Sequence, residues 1–352
     1  MSWEDGVRRV EPYVPGEQPG DGEKVIKLNT NEMPYPPSPK VFEALKSFDV
    51  DSLRLYPAAD VGPLRDAIAD YYGFAHDEVF VGVGSDDVLA TSFLTFFNTG
   101  RPVIFPDITY SFYDVWADVY RIPYETKPLD ENFHMVKSDY LCPNGGIVIA
   151  NPNAPTGVSE MDDISFIDDI VTANPESVVI VDEAYVDFGG ITALPLVRKH
   201  ENMLVVRTFS KSRAFAGMRI GFAVGRSRLI KYLNDVKYSI NSYTMNRPAI
   251  ELGVASISDE DYFRETVAKV MSTRQWTTEE LRARGFSVTD SATNFVFASP
   301  AGITAGQLFK RLRERKIYVR WWDKPRLRDW LRISVGTDEE MKALIKAIDE
   351  II

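Results

Sequence analysis

The chain is predicted to be an α/β protein, with a large domain built on a mostly parallel sheet flanked by helices and a smaller α+β domain after it. Three observations predict this. From Gly62 to about Met245, short apolar runs alternate with helical patterns, the signature of βα units. Several of those runs end directly in a polar cluster, as strands do when their carboxyl ends line a crevice. Beyond Met245 the pattern changes to long charged amphipathic helices separated by two apolar runs. At 352 residues the chain exceeds the usual size of one hydrophobic core, so a large unit with a smaller companion is expected.

Taken in order, residues 1–30 are rich in Pro, Gly and charge, as in Tyr13-Val14-Pro15-Gly16-Glu17-Gln18-Pro19-Gly20, and read as an extended arm packing on the small domain or on a partner subunit. Residues 31–245 form the expected large domain. They carry a helical pattern over residues 63–72 and apolar strand runs at residues 79–81, 102–105, 146–150, 177–181 and 203–206. Residues 246–352 form the expected small domain, with helices over residues 261–284, 305–315 and 339–352 and strands at residues 294–298 and 331–335. The sequence shows no internal repeat and no low-complexity tract.

Composition narrows the function classes. The hydrophobic fraction of 45% and charged fraction of 26% are those of an ordinary globular protein. A formal net charge of -11 argues against a nucleic-acid partner, which a basic surface would attract, but leaves room for local basic pockets that take small anions. Cys142 is the only cysteine, so no internal disulfide can form, and a reducing compartment is expected. His76, His134 and His200 lack metal-ligand spacing, and no metal site is expected. The first residues lack the apolar segment of a secretory leader, and no apolar run approaches the ~18 residues a membrane helix needs. A cytoplasmic location and no membrane partner are therefore expected.

The chemistry gathers at strand ends. Thr208-Phe209-Ser210-Lys211 follows an apolar run, with Arg219 a few residues on. A lysine among hydroxyls and a guanidinium suits a Schiff-base amine beside a phosphate, although a solvated lysine after a strand is the plainer reading of Ser-Lys alone. Asn151-Pro152-Asn153-Ala154-Pro155-Thr156-Gly157 and Asp182-Glu183-Ala184-Tyr185 each follow an apolar run of their own. Gly82-Val83-Gly84-Ser85-Asp86-Asp87 turns the chain into a helix whose free amides would hold an anion. Tyr110 follows another strand and can either stack on a ligand ring or pack in the core.

In these motifs the chain resembles the fold-type I pyridoxal-phosphate-dependent aminotransferases, and within that superfamily the histidinol-phosphate aminotransferase family, from about Tyr13 to the C-terminus. The resemblance implies pyridoxal 5'-phosphate as cofactor. It implies Lys211 as the Schiff-base and proton-transfer residue, Asp182 against the pyridine nitrogen, Tyr185 as a donor to the ring oxygen, and Tyr110 stacked on the ring. Gly84, Ser85, Asp86, Thr208, Ser210 and Arg219 would hold the cofactor phosphate, joined by Tyr56 of a neighbouring subunit, which makes a homodimer with shared active sites the expected assembly. Tyr13, Asn31, Arg320 and Arg332 would bind the substrate, the two arginines gripping its anion. The implied reaction is transamination of L-histidinol phosphate with 2-oxoglutarate to imidazole-acetol phosphate and glutamate, in histidine biosynthesis.

Two positions depart from the family pattern: Asp87 stands where glutamate is usual, and Ala154 stands where an asparagine amide would reach the cofactor's ring oxygen. Asn153 or Asn151 could substitute for that amide, or Tyr185 could carry the contact alone. The alternatives are a broad or aromatic amino-acid aminotransferase or a phosphothreonine decarboxylase of the same fold and, from a different class, a non-catalytic binding protein that retains the fold.

Overall fold

Seven strands form the sheet on which the molecule is organised. The protein is described by a computed structural model covering residues 2–20, 24–160 and 163–352. The expected arm is thus described except for residues 1 and 21–23. The strands, in chain order, are β1 (Ile26–Lys27), β2 (Val79–Gly82), β3 (Val103–Pro106), β4 (Tyr124–Lys127), β5 (Gly146–Ala150), β6 (Val179–Asp182), β7 (Met203–Thr208), β8 (Gly221–Gly225), β9 (Ser287–Val288), β10 (Phe295–Ser299), β11 (Ile317–Tyr318), β12 (Arg320–Trp321) and β13 (Leu331–Ser334).

The large sheet has the order β2-β8-β7-β6-β5-β3-β4. Its pairs are parallel from β7 across to β4, whereas β8 runs antiparallel to both β7 and β2, so the sheet is mostly parallel as predicted. The central strands β5, β6 and β7 are buried along their whole length, which is why they read as continuous apolar runs rather than as alternating ones. One face packs Ile147, Ile149, Val179, Val181, Met203 and Val205 against one helical layer. The other packs Val148, Ile180, Leu204 and Val206 against Phe93, Tyr113 and Trp116.

Register places the site. Ala150, Asp182 and Val206 are cross-strand partners in one row, so the loops after β5, β6 and β7 leave the sheet side by side at their carboxyl ends. Two of these loops are tied together by buried charge. Glu183 accepts from Arg207 Nε at 2.9 Å and Nη2 at 2.7 Å, and also from the Thr192 hydroxyl and the Ala193 amide. Arg207 Nη1 reaches Asp187, which accepts from the hydroxyl of Ser212, the neighbour of Lys211.

A four-stranded antiparallel sheet, β12-β13-β10-β9, forms a second layer and packs Val296, Leu331 and Ile333 on Leu308, Leu344 and Ile348 of two C-terminal helices. β1 pairs in parallel with β11, and Leu28 enters this same core, so the end of the expected arm is part of the smaller body. The helix Arg247–Ile257 lies past the expected boundary at residue 245, yet it packs on the large-sheet side. Its Ala249, Ile250, Leu252 and Ile257 share a core cluster with Leu64, Ile68 and Ala69. The physical reason is composition: this helix is apolar, and the charged amphipathic helices begin only with Glu260–Ala283.

Removing one partner of the Glu183–Arg207 pair strands a buried charge, which costs about 3–5 kcal/mol. Glu183→Ala is therefore expected to lower the urea midpoint by that equivalent, while the double change Glu183→Leu with Arg207→Met recovers most of the loss. A single-variant cost within experimental error would show that Arg207 finds solvent instead.

Candidate active site

The three strand-end loops and the start of the helix Ser85–Phe96 line a cavity with a free volume of about 90 Å³. Its walls include Asp182 at the end of β6 and Tyr185 from the loop after it, Ala154 from the loop after β5, and Thr208 at the end of β7 with Ser210 and Lys211 from the loop that follows. Ser85, Asp86, Tyr110 and Arg219 complete it.

One end is an anion cradle. The helix Ser85–Phe96 starts after Gly84, whose φ of 90° suits glycine, and a Cβ there would lie 2.5 Å from Arg219 Nη2. A Cβ on Gly221 would lie 2.2 Å from the Ser85 amide nitrogen, so β8 can press against this turn only as glycine. Asp87 accepts from the Val83 amide at 2.9 Å. Arg219 Nη1 points to the Ser210 hydroxyl at 3.4 Å, and Thr208 donates to Ser210 at 2.9 Å. Free helix amides, two hydroxyls and a guanidinium meeting at one point are what a phosphate dianion requires.

The middle of the cavity holds the titratable groups. Asp182 is buried, with Oδ2 accepting from the Tyr113 hydroxyl at 2.9 Å and Oδ1 from the Ala184 amide at 3.1 Å. Burial pushes its pKa up to about 6, against the pull of those two hydrogen bonds. Burial likewise holds the phenols of Tyr110 and Tyr113 well above their ordinary value, reinforced by Asp86 and Asp182 respectively. Lys211 Nζ lies 5.5 Å over the Tyr185 ring and 3.5 Å from the Thr30 carbonyl. Tyr185 Oη accepts from Asn31 Nδ2 at 2.9 Å.

The residues expected to bind substrate lie outside the cavity lining. Arg332 is half-buried over Phe295 and Trp322, donates to the Asn29 carbonyl at 2.9 Å, and makes no ion pair among the described residues. Burial lowers its pKa, and its Nε is a buried donor with no acceptor. Phe295 packs edge-on against Tyr185, which brings Arg332 next to the cavity. Tyr13 stacks on Phe112 at 4.2 Å, beside Tyr110. Arg320 sits opposite Arg332 in the β12–β13 register but donates to the Val14 and Pro15 carbonyls, so in this conformation it fastens the arm.

Asn153, Asn151 and Tyr56 do not line the cavity. Both amide hydrogens of Asn153 are committed, to the Ile108 carbonyl and the Thr156 hydroxyl, and its oxygen accepts from Thr109. Of the alternatives at this position, Asn153 braces its own loop in this structure, and Ala154 lines the cavity. Asn151 Oδ1 accepts from the Glu160 amide, and its Nδ2 is buried without an acceptor. Tyr56 is 77% exposed, stacks on Tyr243, and does not line the cavity of its own chain. Tyr113 was not among the sequence candidates. Its only local signal is that it lies in the same strand-end segment as Tyr110. Among the described residues no group of His, Cys, Asp and Glu side chains could hold a metal, and no helix is long and apolar enough to cross a membrane.

The chain belongs to the class I and II aminotransferase family, whose model matches residues 23–348. More particularly, it is 49% identical over 350 residues to the histidinol-phosphate aminotransferase of Lactococcus lactis subsp. cremoris strain MG1363, covering 99% of this chain and 98% of that one. It is 48% identical to the enzyme of the same name from Clostridium botulinum strain 657, again covering 99% and 98%. The fold is shared with the crystal structure of histidinol-phosphate aminotransferase from Sinorhizobium meliloti in complex with pyridoxal-5'-phosphate, at a TM-score of 0.84 and 23% identity over 94% of this chain and 93% of that one.

Because the Asp182 pKa is raised from 3.8 to about 6, the cofactor-free protein loses stability as pH rises between those values, when the unfolded chain ionises this carboxyl and the folded one resists. Two units correspond to ~3 kcal/mol. Between pH 4 and pH 7, urea unfolding of apo Asp182→Asn should therefore gain on wild type by about that amount. A constant difference across this window would show that the carboxylate is not strained.

Proposed function

We propose that this chain is a pyridoxal-phosphate-dependent aminotransferase that converts L-histidinol phosphate and 2-oxoglutarate to imidazole-acetol phosphate and glutamate, in histidine biosynthesis. The observation that carries the chemistry is one cavity presenting Lys211, the buried Asp182 and the anion cradle together. The substrate rests on identity of 49% along nearly the whole chain to an enzyme of that name.

The cavity fits pyridoxal phosphate on the chemistry of its donors. The cradle suits the phosphate, and Asp182 is a carboxylate short of a cation, which a protonated pyridine nitrogen supplies. When bound, the cofactor contributes an aldehyde that takes up amines and a ring that accepts electrons from the substrate α-carbon. Asp182 keeps the proton on the pyridine nitrogen. Tyr185 donates to the ring oxygen, and Tyr110 covers the ring. Ser85, Asp86, Thr208, Ser210 and Arg219 hold the phosphate. Lys211 would hold the cofactor through its aldehyde and, as a free amine, would carry the proton of the substrate α-carbon. Arg332 takes the substrate anion, with Arg320 and Tyr13 at the arm. The same guanidiniums receive the phosphate of one substrate and a carboxylate of the other.

A homodimer with shared active sites suits an apolar surface on the large-sheet side. Phe42, Leu45, Val50, Leu53 and Leu55 are exposed there, and the Tyr56–Tyr243 stack joins them to exposed Tyr238 and Ile240. Tyr56 would then serve the partner's phosphate. The reading includes a cytoplasmic location and the three-part organisation of an N-terminal arm, a large cofactor domain and a small C-terminal domain.

Borohydride reduction of the coloured protein should attach the cofactor to Lys211, read by peptide mass spectrometry; an adduct on another lysine overturns the assignment. Arg332→Lys should lower kcat/KM for histidinol phosphate roughly 10- to 150-fold more than for histidinol, since a lysine cannot reproduce the guanidinium fork. Equal losses on both substrates would point to a general aminotransferase, and carbon dioxide release from phosphothreonine to a decarboxylase.

A further inference from the structure

With Ala154 facing the cavity and both Asn153 amide hydrogens committed elsewhere, Tyr185 is the donor these loops offer to a ring oxygen. A phenol has one proton and can turn it either way, so its usefulness depends on what fixes its direction. The groups around Tyr185 supply this. The Asn31 backbone amide donates to Ser334 Oγ at 2.8 Å, and that hydroxyl donates to Asn31 Oδ1 at 3.0 Å. The amide oxygen is thereby assigned to the Ser334 side, and Nδ2 is turned to Tyr185 Oη at 2.9 Å. Asn31 itself is buried, has a φ of 56°, and is held through its carbonyl by Asn294 Nδ2. With Asn31 occupying the acceptor site on the phenol oxygen, the O–H is left for the cavity.

We propose that Asn31 is a positioning residue that acts through Tyr185, fixing the phenol proton on the cofactor's ring oxygen and so doing the work of the amide absent at Ala154. The inference rests on the reading of this cavity as a pyridoxal-phosphate site. The charged groups around Tyr185 are Lys211 and Arg332, and Tyr110 is its other titratable neighbour. A donor on the ring oxygen draws electron density from it, so that oxygen holds the proton of the adjacent lysine-bound nitrogen less tightly. Loss of a well-aimed donor therefore moves the titration of that nitrogen upward.

The test is the pH midpoint of the visible absorption change of the holoenzyme, measured for wild type and four variants. Asn31→Gly tolerates the left-handed backbone and removes the amide without adding charge, and Asn31→Asp turns the donor into an acceptor that draws the phenol proton away. Both are expected to raise the midpoint, Asn31→Asp by about one unit and Asn31→Gly by less. Tyr185→Phe should raise it as well, and in the Tyr185→Phe background Asn31→Gly should add nothing. An unmoved midpoint in both Asn31 variants, or a shift from Asn31→Gly that persists undiminished without the phenol, overturns the proposal. A loss of thermal stability with no change of midpoint also overturns it, since that is what a purely structural Asn31 would give. A wild-type protein that takes up no cofactor removes the underlying reading together with this inference, and is thereby told apart from failure of the inference alone.

Discussion

A carboxylate held inside the sheet edge without a cation is the constraint around which the rest of this structure is arranged. Asp182 ends β6 in the middle of the large sheet, and its two oxygens are satisfied by neutral donors, the Tyr113 hydroxyl and the Ala184 amide. Burial raises its pKa to about 6, which means the fold bears a cost to keep this group where it is. Such strain persists only where the surroundings over-determine it. Here they do: Asp182 is in register with Ala150 on one side and Val206 on the other, and neither neighbouring strand can shift without dislodging an apolar face.

The loops around that carboxylate are fixed only in part by apolar packing, such as Tyr185 on Phe295, because the cavity opens beside them. Buried charge adds to it. Glu183 follows Asp182 directly, and its grip on Arg207 of β7, extended through Asp187 to Ser212, fastens the loop bearing Asp182 to the loop bearing Lys211. A buried ion pair is a poor source of net stability compared with hydrophobic residues of equal volume. Its value here is directional: a guanidinium with several fixed acceptors sets the distance between two loops, which interchangeable aliphatic contacts would not.

What the sequence reveals and what it hides divide along the same line. The βα alternation, the mostly parallel sheet and the cavity-lining residues of the cofactor motifs were readable because each depends on a strand and the few residues that follow it. Lys211, Asp182, Tyr185 and Ser85 all belong to this group. The loop turns the Asn153 side chain to Ile108 and Thr156 while Ala154 lines the cavity, a difference of direction that the linear sequence does not carry. Tyr113 was missed because its partner is 69 residues away. Arg320 was read for its charge, but its present partners are carbonyls of the arm more than three hundred residues earlier. The helix Arg247–Ile257, just past the expected boundary at residue 245, has the partners of its apolar face near residues 64–69, far away in the sequence.

The electrostatics of the two sides of the cavity describe the kind of occupant it is built for. On one side a carboxylate lacks a cation. Toward the small sheet a guanidinium makes no ion pair among the described residues, sits between aromatic faces, and keeps a buried Nε without an acceptor. Arginine stays charged under such desolvation where a lysine could shed its proton, so the deficit cannot be relieved by deprotonation and has to be met by an anion. A single neutral ligand would leave both ends unsatisfied. On the proposed function, a cationic ring nitrogen at Asp182 and an anionic group at Arg332 would meet both ends, the charge pattern of a pyridoxal-derived cofactor joined to an anionic amine. On that same function, the helix amides and Arg219 would be the third point of the same recognition, holding the cofactor phosphate apart from the substrate end.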